Sequence, residues 1–190
     1  YSASELKAIL DELDYNLFKD KGLVDKIPLV GRMASVALEK GIYEGDFFLN
    51  WIQGLLDKKN VNTFGDLIVE EHKDHPKYRY KLQVIAADVT RGKMLVLPRD
   101  IKEYGLNPDS LGIARAVRMS MSLPFFFEPV ELQDSTGKKS IIVDGGLLSN
   151  YPVGIFDDEA EDAIYPTIGY KLVEPGEGKP REIKSPISLL

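Results

Sequence analysis

Asp144, Gly145 and Gly146 stand directly after the apolar run Ile141–Val143, where a buried strand is predicted to end. The carboxyl ends of strands in open α/β sheets are where ligands bind and catalysis takes place. An aspartate held there can accept a proton from a reacting group. Asp-Gly is also a favoured turn dipeptide, so a tight turn without chemistry is the alternative interpretation. The second glycine favours an active-site loop, because paired glycines let a substrate approach the backbone closely.

Two further features bear on this segment. Asn150 and Pro152 follow it and resemble a helix entry that packs the loop back onto the sheet. Asp88 also follows a predicted strand, but Thr90–Lys93 turns the chain straight into another strand. The Asp88 carboxylate is therefore expected to accept turn N–H groups rather than to do chemistry.

The remaining titratable clusters favour no metal site. His72 and His75 are three residues apart, but Pro76 follows at once and Asp74 is the only acid between them, which favours a solvated helix end. The acidic run at residues 157–162 is expected to be a solvated face.

The sequence offers no recognisable nucleophile. Ser120, Ser122 and Ser149 are the candidates in this half of the chain, and none stands in Gly-x-Ser-x-Gly, the elbow that exposes a serine above a sheet. The chain also has no glycine-rich oxyanion loop or phosphate loop. The sequence therefore contains a candidate base, Asp144, and no recognisable nucleophile for that base to activate.

The elements that must position Asp144 are a mixture of predicted helices and strands, which indicates a layered α/β or α+β domain. A helix is predicted after Ser2 or Ser4, another after Asp46, and a third over 111–121. The predicted strands are 82–87, 94–97, 128–132, 140–143 and 166–172; short helices are predicted to end at Gly41 and to begin after Thr63.

Composition excludes several classes of protein. The 190 residues are 44% hydrophobic and 28% charged, which is typical of a globular domain. A net charge of −6 argues against nucleic-acid binding, and the absence of cysteine excludes thiol catalysis and disulfides. No apolar run reaches the ~20 residues that span a bilayer. The chain begins at Tyr1 rather than Met, and we expect it to be a piece of a larger protein truncated at both ends.

With its flanks, the segment from Ile142 to Val153 resembles the signature around the catalytic aspartate of the patatin-like phospholipases. The segment from Ala114 to Val130 is similar to the helix and strand that precede this signature in the family. Residues 86–93 resemble the family's middle hairpin, and residues 41–46 resemble the approach to the next helix. The resemblance covers nearly the whole chain.

The resemblance implies a three-layer α/β/α patatin-type domain and a lipid acyl hydrolase, of phospholipase A or lysophospholipase type, that uses a Ser-Asp dyad without cofactor or metal. Asp144 transfers as the base that activates the serine, and Gly145 and Gly146 shape the loop beside it. The family's oxyanion loop and nucleophile elbow have no counterpart here, so residues 1–190 are expected to form a partial domain that is inactive alone.

Two rival hypotheses stay open. One is a degenerate patatin-like module that binds lipid or protein without catalysis. The other is an unrelated enzyme that uses Asp144 and Asp88 as a metal pair. The expected substrate is a lipid ester at a membrane or micelle surface, and the expected location is cytoplasmic or peripheral to a membrane.

Overall fold

The structure is a computed structural model that describes residues 1–19, 43–149, 151–156 and 166–171. The chain divides into two compact units, Tyr1–Pro152 and Val153–Leu190. In the second unit, Val153–Phe156 forms a 3-10 helix. The predicted strand over 166–172 is wrong for residues 166–171, which have no regular structure, and the short helix predicted to end at Gly41 lies outside the described residues.

Helix α1 covers Ala3–Asp11. The predicted cap is confirmed: the Ser2 hydroxyl accepts the Glu5 N–H, and the Glu5 carboxylate accepts the Ser2 N–H in return. This capping box satisfies backbone groups that the first turn leaves unpaired. The hydrogen bond from the Ser2 N–H and the contact with Lys59 lower the pKa of Glu5 to about 2.

Helix α2 covers Asp46–Asp57 and begins at Asp46, the residue that was predicted to cap it. Gly45 is the N-cap, with φ +80°, and Asp46 is the first helical residue. A side chain at position 45 would be strained by that φ and would also meet the Arg118 guanidinium at 2.3 Å. This close approach was not predicted because the two residues are far apart in sequence.

Helix α3 covers Ile113–Ser120, shorter at both ends than the predicted 111–121. Pro108–Ser110 forms a separate 3-10 turn before it. Other 3-10 helices lie at Tyr15–Phe18, Phe64–Leu67, Glu70–His72, Arg99–Tyr104 and Gly145–Leu147. None of the helices in the described ranges has both the length and the hydropathy to cross a membrane.

Four antiparallel strands form one sheet in the order β2-β1-β4-β3. The prediction placed strands in these four places, with ends displaced by one or two residues. The strands are β1 Val84–Asp88, β2 Lys93–Leu97, β3 Val130–Gln133 and β4 Lys139–Asp144. Helices and sheet together agree with the predicted α/β class, and the three-layer arrangement stays a prediction.

One face of the sheet packs on α3. The register places Ala86 opposite Leu95 on one side, and Asp88 opposite Ile142 on the other, so these side chains share a face. Ala86, Leu95 and Ile142 are fully buried in a core that also holds Met119 of α3. Helix α2 packs on α3 in turn.

The two ends of the sheet differ. At one end, tight turns close both hairpins, and Arg91 joins them by an ion pair of 2.9 Å to Asp134. At the other end, β4 finishes at Asp144 opposite Ala86, and β2 finishes at Leu97 opposite Val84. The candidate base therefore lies at the end of the sheet opposite to the two hairpin turns.

Candidate active site

Asp144 is the last residue of β4 and is half-buried. Its backbone N–H donates to the Ser122 carbonyl oxygen at 3.0 Å, just beyond the end of α3. Two independent elements therefore fix its backbone, the strand ladder through Ala86 and the chain after α3. A carboxylate anchored in this way keeps its position when a substrate arrives.

The two carboxylate oxygens of Asp144 have different surroundings. Oδ1 accepts the Gly146 N–H at 2.6 Å and caps the turn Gly145–Leu147. Oδ2 has no hydrogen-bond partner among the residues that the structure describes. The turn interpretation accounts for the first oxygen, and the second remains able to accept a proton. A tight turn and an active-site acid are thus compatible with one geometry, in which the turn orients the carboxylate.

Gly145 is needed because this turn crosses directly over β1. A Cβ at position 145 would lie 2.4 Å from the Ile85 carbonyl oxygen and 2.8 Å from the Ile85 side chain. The clash involves backbone, so relief requires the turn or the strand to move. Gly146 is exposed and gives the N–H that holds Asp144.

Exposed apolar side chains follow both the candidate base and its anchor, Ser122, in the sequence. Leu147 and Leu148 are 56% and 47% exposed. Phe125 and Phe126, which follow Ser122, are 62% and 59% exposed. Phe125 has φ +71°, a conformation that costs energy for a bulky residue.

Arg118 organises the segment that anchors Asp144. Its guanidinium donates to the Ser122 hydroxyl at 2.5 Å, to the Glu128 carbonyl at 2.8 Å and to the Glu44 carbonyl. The residue is buried, with 6% of its surface exposed. One side chain thus ties together α3, the approach to α2 and the approach to β3. This role was not predicted, and the only signal for it in the sequence is an arginine four residues before a serine on a helix with an apolar face.

Arg118→Lys should lower the free energy of unfolding by about 1–3 kcal/mol, because an ammonium cannot reach all three acceptors and leaves at least one buried group unsatisfied. Denaturant unfolding measures the loss. Arg115→Lys on the exposed side of the same helix is the matched control and should change stability by less than about 0.5 kcal/mol. Equal stability of the two variants would contradict the anchoring role.

Asp88 is placed as predicted. Its buried carboxylate accepts the N–H groups of Thr90 and Arg91 at 2.9 and 3.0 Å, and the Tyr104 hydroxyl at 2.6 Å. Burial, followed by the hydrogen bond to Asp88, raises the pKa of Tyr104 well above its ordinary value. Because donors already occupy both oxygens of Asp88, this residue does not fit the metal-pair hypothesis.

Among the other candidates, the side chains of Ser122 and His75 are engaged elsewhere. The Ser122 hydroxyl is fully buried and donates to the Arg118 carbonyl at 2.9 Å. His75 Nδ1 accepts the backbone N–H groups of Lys77 and Tyr78. No group of three or more possible metal ligands occurs in the described part of the chain. Asn150 and residues 157–162 lie outside that part.

Two comparisons with known proteins concern the family of the chain. The family model described as "Patatin-like phospholipase" matches residues 1–157. The chain is also 39% identical over 187 residues to "Uncharacterized protein YqhO" of Bacillus subtilis (strain 168). That match covers 98% of this chain and 57% of the relative, so the chain spans little more than half the relative's length. Because the family model covers most of the 190 residues, the chain belongs to the patatin-like phospholipase family.

Proposed function

We propose that the chain carries the base of a Ser-Asp dyad in a lipid acyl hydrolase, with Asp144 as that base. The supporting observation is that the two oxygens of the Asp144 carboxylate differ. Oδ1 accepts the Gly146 N–H, while Oδ2 has no hydrogen-bond partner in the described ranges. A general base needs both a fixed orientation and an accessible oxygen that can take the proton. The family match supports lipid ester hydrolysis as the general reaction.

In this proposal, Asp144 acts twice in each turnover. It first takes the hydroxyl proton of the serine as the serine oxygen attacks the ester carbonyl carbon. The tetrahedral intermediate then collapses, the bond to the alcohol oxygen breaks, and Asp144 returns the proton to that oxygen. In the second half, Asp144 takes a proton from water, whose oxygen attacks the acyl-serine, and the proton returns to the serine as the fatty acid leaves.

The serine itself is proposed to come from a segment outside these 190 residues. No serine in the sequence stands in Gly-x-Ser-x-Gly. Ser122, although its carbonyl contacts the Asp144 N–H, commits its buried hydroxyl to Arg118. The same outside segment would supply the oxyanion N–H groups. Residues 1–190 are therefore proposed to be a partial domain without activity of its own.

The exposed apolar side chains that follow Asp144 and Ser122 support a lipid ester as the substrate. Phospholipids, lysophospholipids and neutral lipids all present an acyl chain that exposed side chains such as Leu147 and Phe125 would contact more favourably than water would. A small hydrophilic ester would gain little from this surface. We therefore propose that the protein acts on esters presented by a membrane or micelle.

The test compares the full-length protein with residues 1–190 on three substrates: dispersed phosphatidylcholine, its lysophospholipid and triacylglycerol. We expect fatty-acid release from at least one of them by the full-length protein and none by residues 1–190. Lipid binding without release by the full-length protein would favour the degenerate module instead. Serine-dependent hydrolysis by residues 1–190 would contradict the partial-domain proposal.

A further inference from the structure

A cavity of about 350 Å³ lies between residues 73–80 and the segment that follows β2, residues 99–109. Its size falls within the ~300–1,000 Å³ typical of small-molecule sites. Four of its lining side chains are cationic: Lys73, Arg79, Arg99 and Lys102. Such a group is unexpected in a chain with a net charge of −6. The proposed hydrolase mechanism makes no use of this cavity.

The two arginines are held in place by carboxylates. Arg79 Nη2 donates to Asp109 Oδ2 at 2.8 Å, and Tyr80 donates to the other oxygen of the same carboxylate. The hydrogen bond from Tyr80, followed by that from Arg79, lowers the pKa of Asp109. Its negative charge therefore persists to acid pH and keeps the Arg79 guanidinium in a fixed orientation.

Arg99 is fixed in the same way on the other wall. Its Nε and Nη2 donate to the two oxygens of Asp100 at 2.7 and 3.2 Å. Burial alone would raise the pKa of Asp100, but the hydrogen bonds from Arg99 and from the Val96 N–H outweigh it, and the pKa is lowered. A guanidinium held by one carboxylate still has N–H donors on its other edge.

Two lysines add positive charge beside the Arg79–Asp109 and Arg99–Asp100 ion pairs. Lys102 has no ion pair among the residues described by the structure. Lys73 lies 3.7 Å from Glu70, whose side chain is 80% exposed, so water screens that pair strongly. Within the lining itself the four cations stand against two carboxylates, Asp74 and Asp109, while Asp100 and the exposed Glu70 pair with Arg99 and Lys73 from outside it.

We propose that this cavity binds a phosphate-bearing ligand. A phosphate group accepts several charge-assisted hydrogen bonds at once, and pre-oriented guanidinium groups with flexible lysines at the rim match that demand. Two sources share this chemistry: the headgroup of a phospholipid and a free phosphorylated compound. The proposal concerns binding alone and stands whether or not Asp144 acts as a base.

The segment that lines one wall of the cavity, residues 99–109, begins beside the end of β2. Arg99 follows the end of β2, where Leu97 pairs with Val84, and Asp144 pairs with Ala86 on the other side of β1. The ends of β2 and β4 therefore lie two strand spacings apart, about 10 Å. From there the segment runs toward the hairpin turns, where the Tyr104 hydroxyl donates to Asp88 and Gly105 lies near Ser135, and vesicle binding tests the headgroup source.

The experiment measures binding of inorganic phosphate to the full-length protein by isothermal titration calorimetry at constant ionic strength. Lys73→Gln with Lys102→Gln should weaken phosphate binding about tenfold or more, because the uncompensated charges are lost. The matched control is Lys138→Gln, an exposed lysine of the β3–β4 turn that does not line the cavity, and this variant should bind phosphate as the unmodified protein does. Thermal unfolding checks that all variants keep the fold.

A second arm distinguishes the sources by sedimentation with phosphatidylcholine vesicles that do or do not contain phosphatidic acid. Loss of phosphatidic-acid-dependent binding in the double lysine variant, together with loss of phosphate binding, assigns the site to a headgroup. Loss of phosphate binding alone assigns it to a free phosphorylated compound. The proposal is overturned if the unmodified protein shows no saturable phosphate binding, or if the double variant binds phosphate as tightly as Lys138→Gln does. Hydrolysis is not a readout, so these outcomes are independent of the proposed catalytic role.

Discussion

Replacing Asp144 by asparagine should lower ester hydrolysis by the full-length protein by about 100- to 10,000-fold, the usual contribution of a general base. Asparagine has nearly the same shape, and its amide oxygen can still accept the Gly146 N–H that now binds Oδ1. The NH₂ group that replaces Oδ2 donates hydrogen bonds and cannot take the serine proton. The loss should therefore appear in kcat, with the fold retained. Initial rates of fatty-acid release measure it.

Glu131→Gln is the matched control for this variant. Glu131 lies on β3, beside β4, and its exposed carboxylate pairs with Lys139 at 2.8 Å. Removing the charge of an exposed pair changes stability by less than about 1 kcal/mol and should leave turnover unchanged. If Asp144→Asn and Glu131→Gln hydrolyse esters at equal rates, Asp144 is not the base.

Gly145→Ala should lower the free energy of unfolding by about 1–3 kcal/mol and ester hydrolysis by about 100-fold. The added Cβ would sit 2.4 Å from the Ile85 carbonyl oxygen, and neither backbone can yield without moving the turn that orients Asp144. Both effects have the same cause, because a shift of the turn also displaces the carboxylate. Denaturant unfolding and initial rates measure them on one protein preparation.

The control is a glycine-to-alanine substitution at a position where the added Cβ has free space. Gly54 lies inside α2, and a Cβ there would meet nothing within 4 Å. Gly54→Ala should raise stability by about 1 kcal/mol, since alanine favours a helix interior over glycine, and should leave turnover unchanged. Gly145→Ala with normal stability and normal turnover would show that the crossing over Ile85 does not constrain the site.

Local signals in the sequence predicted much of the fold. Ser2 and Glu5 carry a complete capping box, and the turn residues between the strands mark both hairpins, so these elements could be identified without tertiary information. Strand ends were displaced by a residue or two because ladder pairing, rather than composition, decides where a strand stops. Residues 166–171 have an apolar pattern but no strand, since pattern alone does not provide a partner.

The features that depend on long-range contacts could not be predicted. Gly45 caps α2 with φ +80° and lies beside the Arg118 guanidinium, and the sequence gives no sign of that contact. The cationic cavity exists because Arg79 reaches Asp109, thirty positions further along the chain. Asp144 was identifiable because its surroundings are local: the glycine that binds its oxygen is two residues away. The hydrogen bond from its backbone N–H to the Ser122 carbonyl joins distant parts of the sequence and could not be predicted.

The most direct test of the Ser-Asp proposal is the rate at which a fluorophosphonate labels the full-length protein, with the labelled residue identified by peptide mass spectrometry. The probe reacts with an activated serine, so its rate reports the proton transfer assigned to Asp144 without requiring the correct lipid. We predict labelling of a single serine in a Gly-x-Ser-x-Gly sequence outside residues 1–190. Asp144→Asn should slow this labelling by about 100-fold or more while the unfolding temperature is unchanged. Labelling of a serine within residues 1–190, or an undiminished rate in Asp144→Asn, would contradict the proposal.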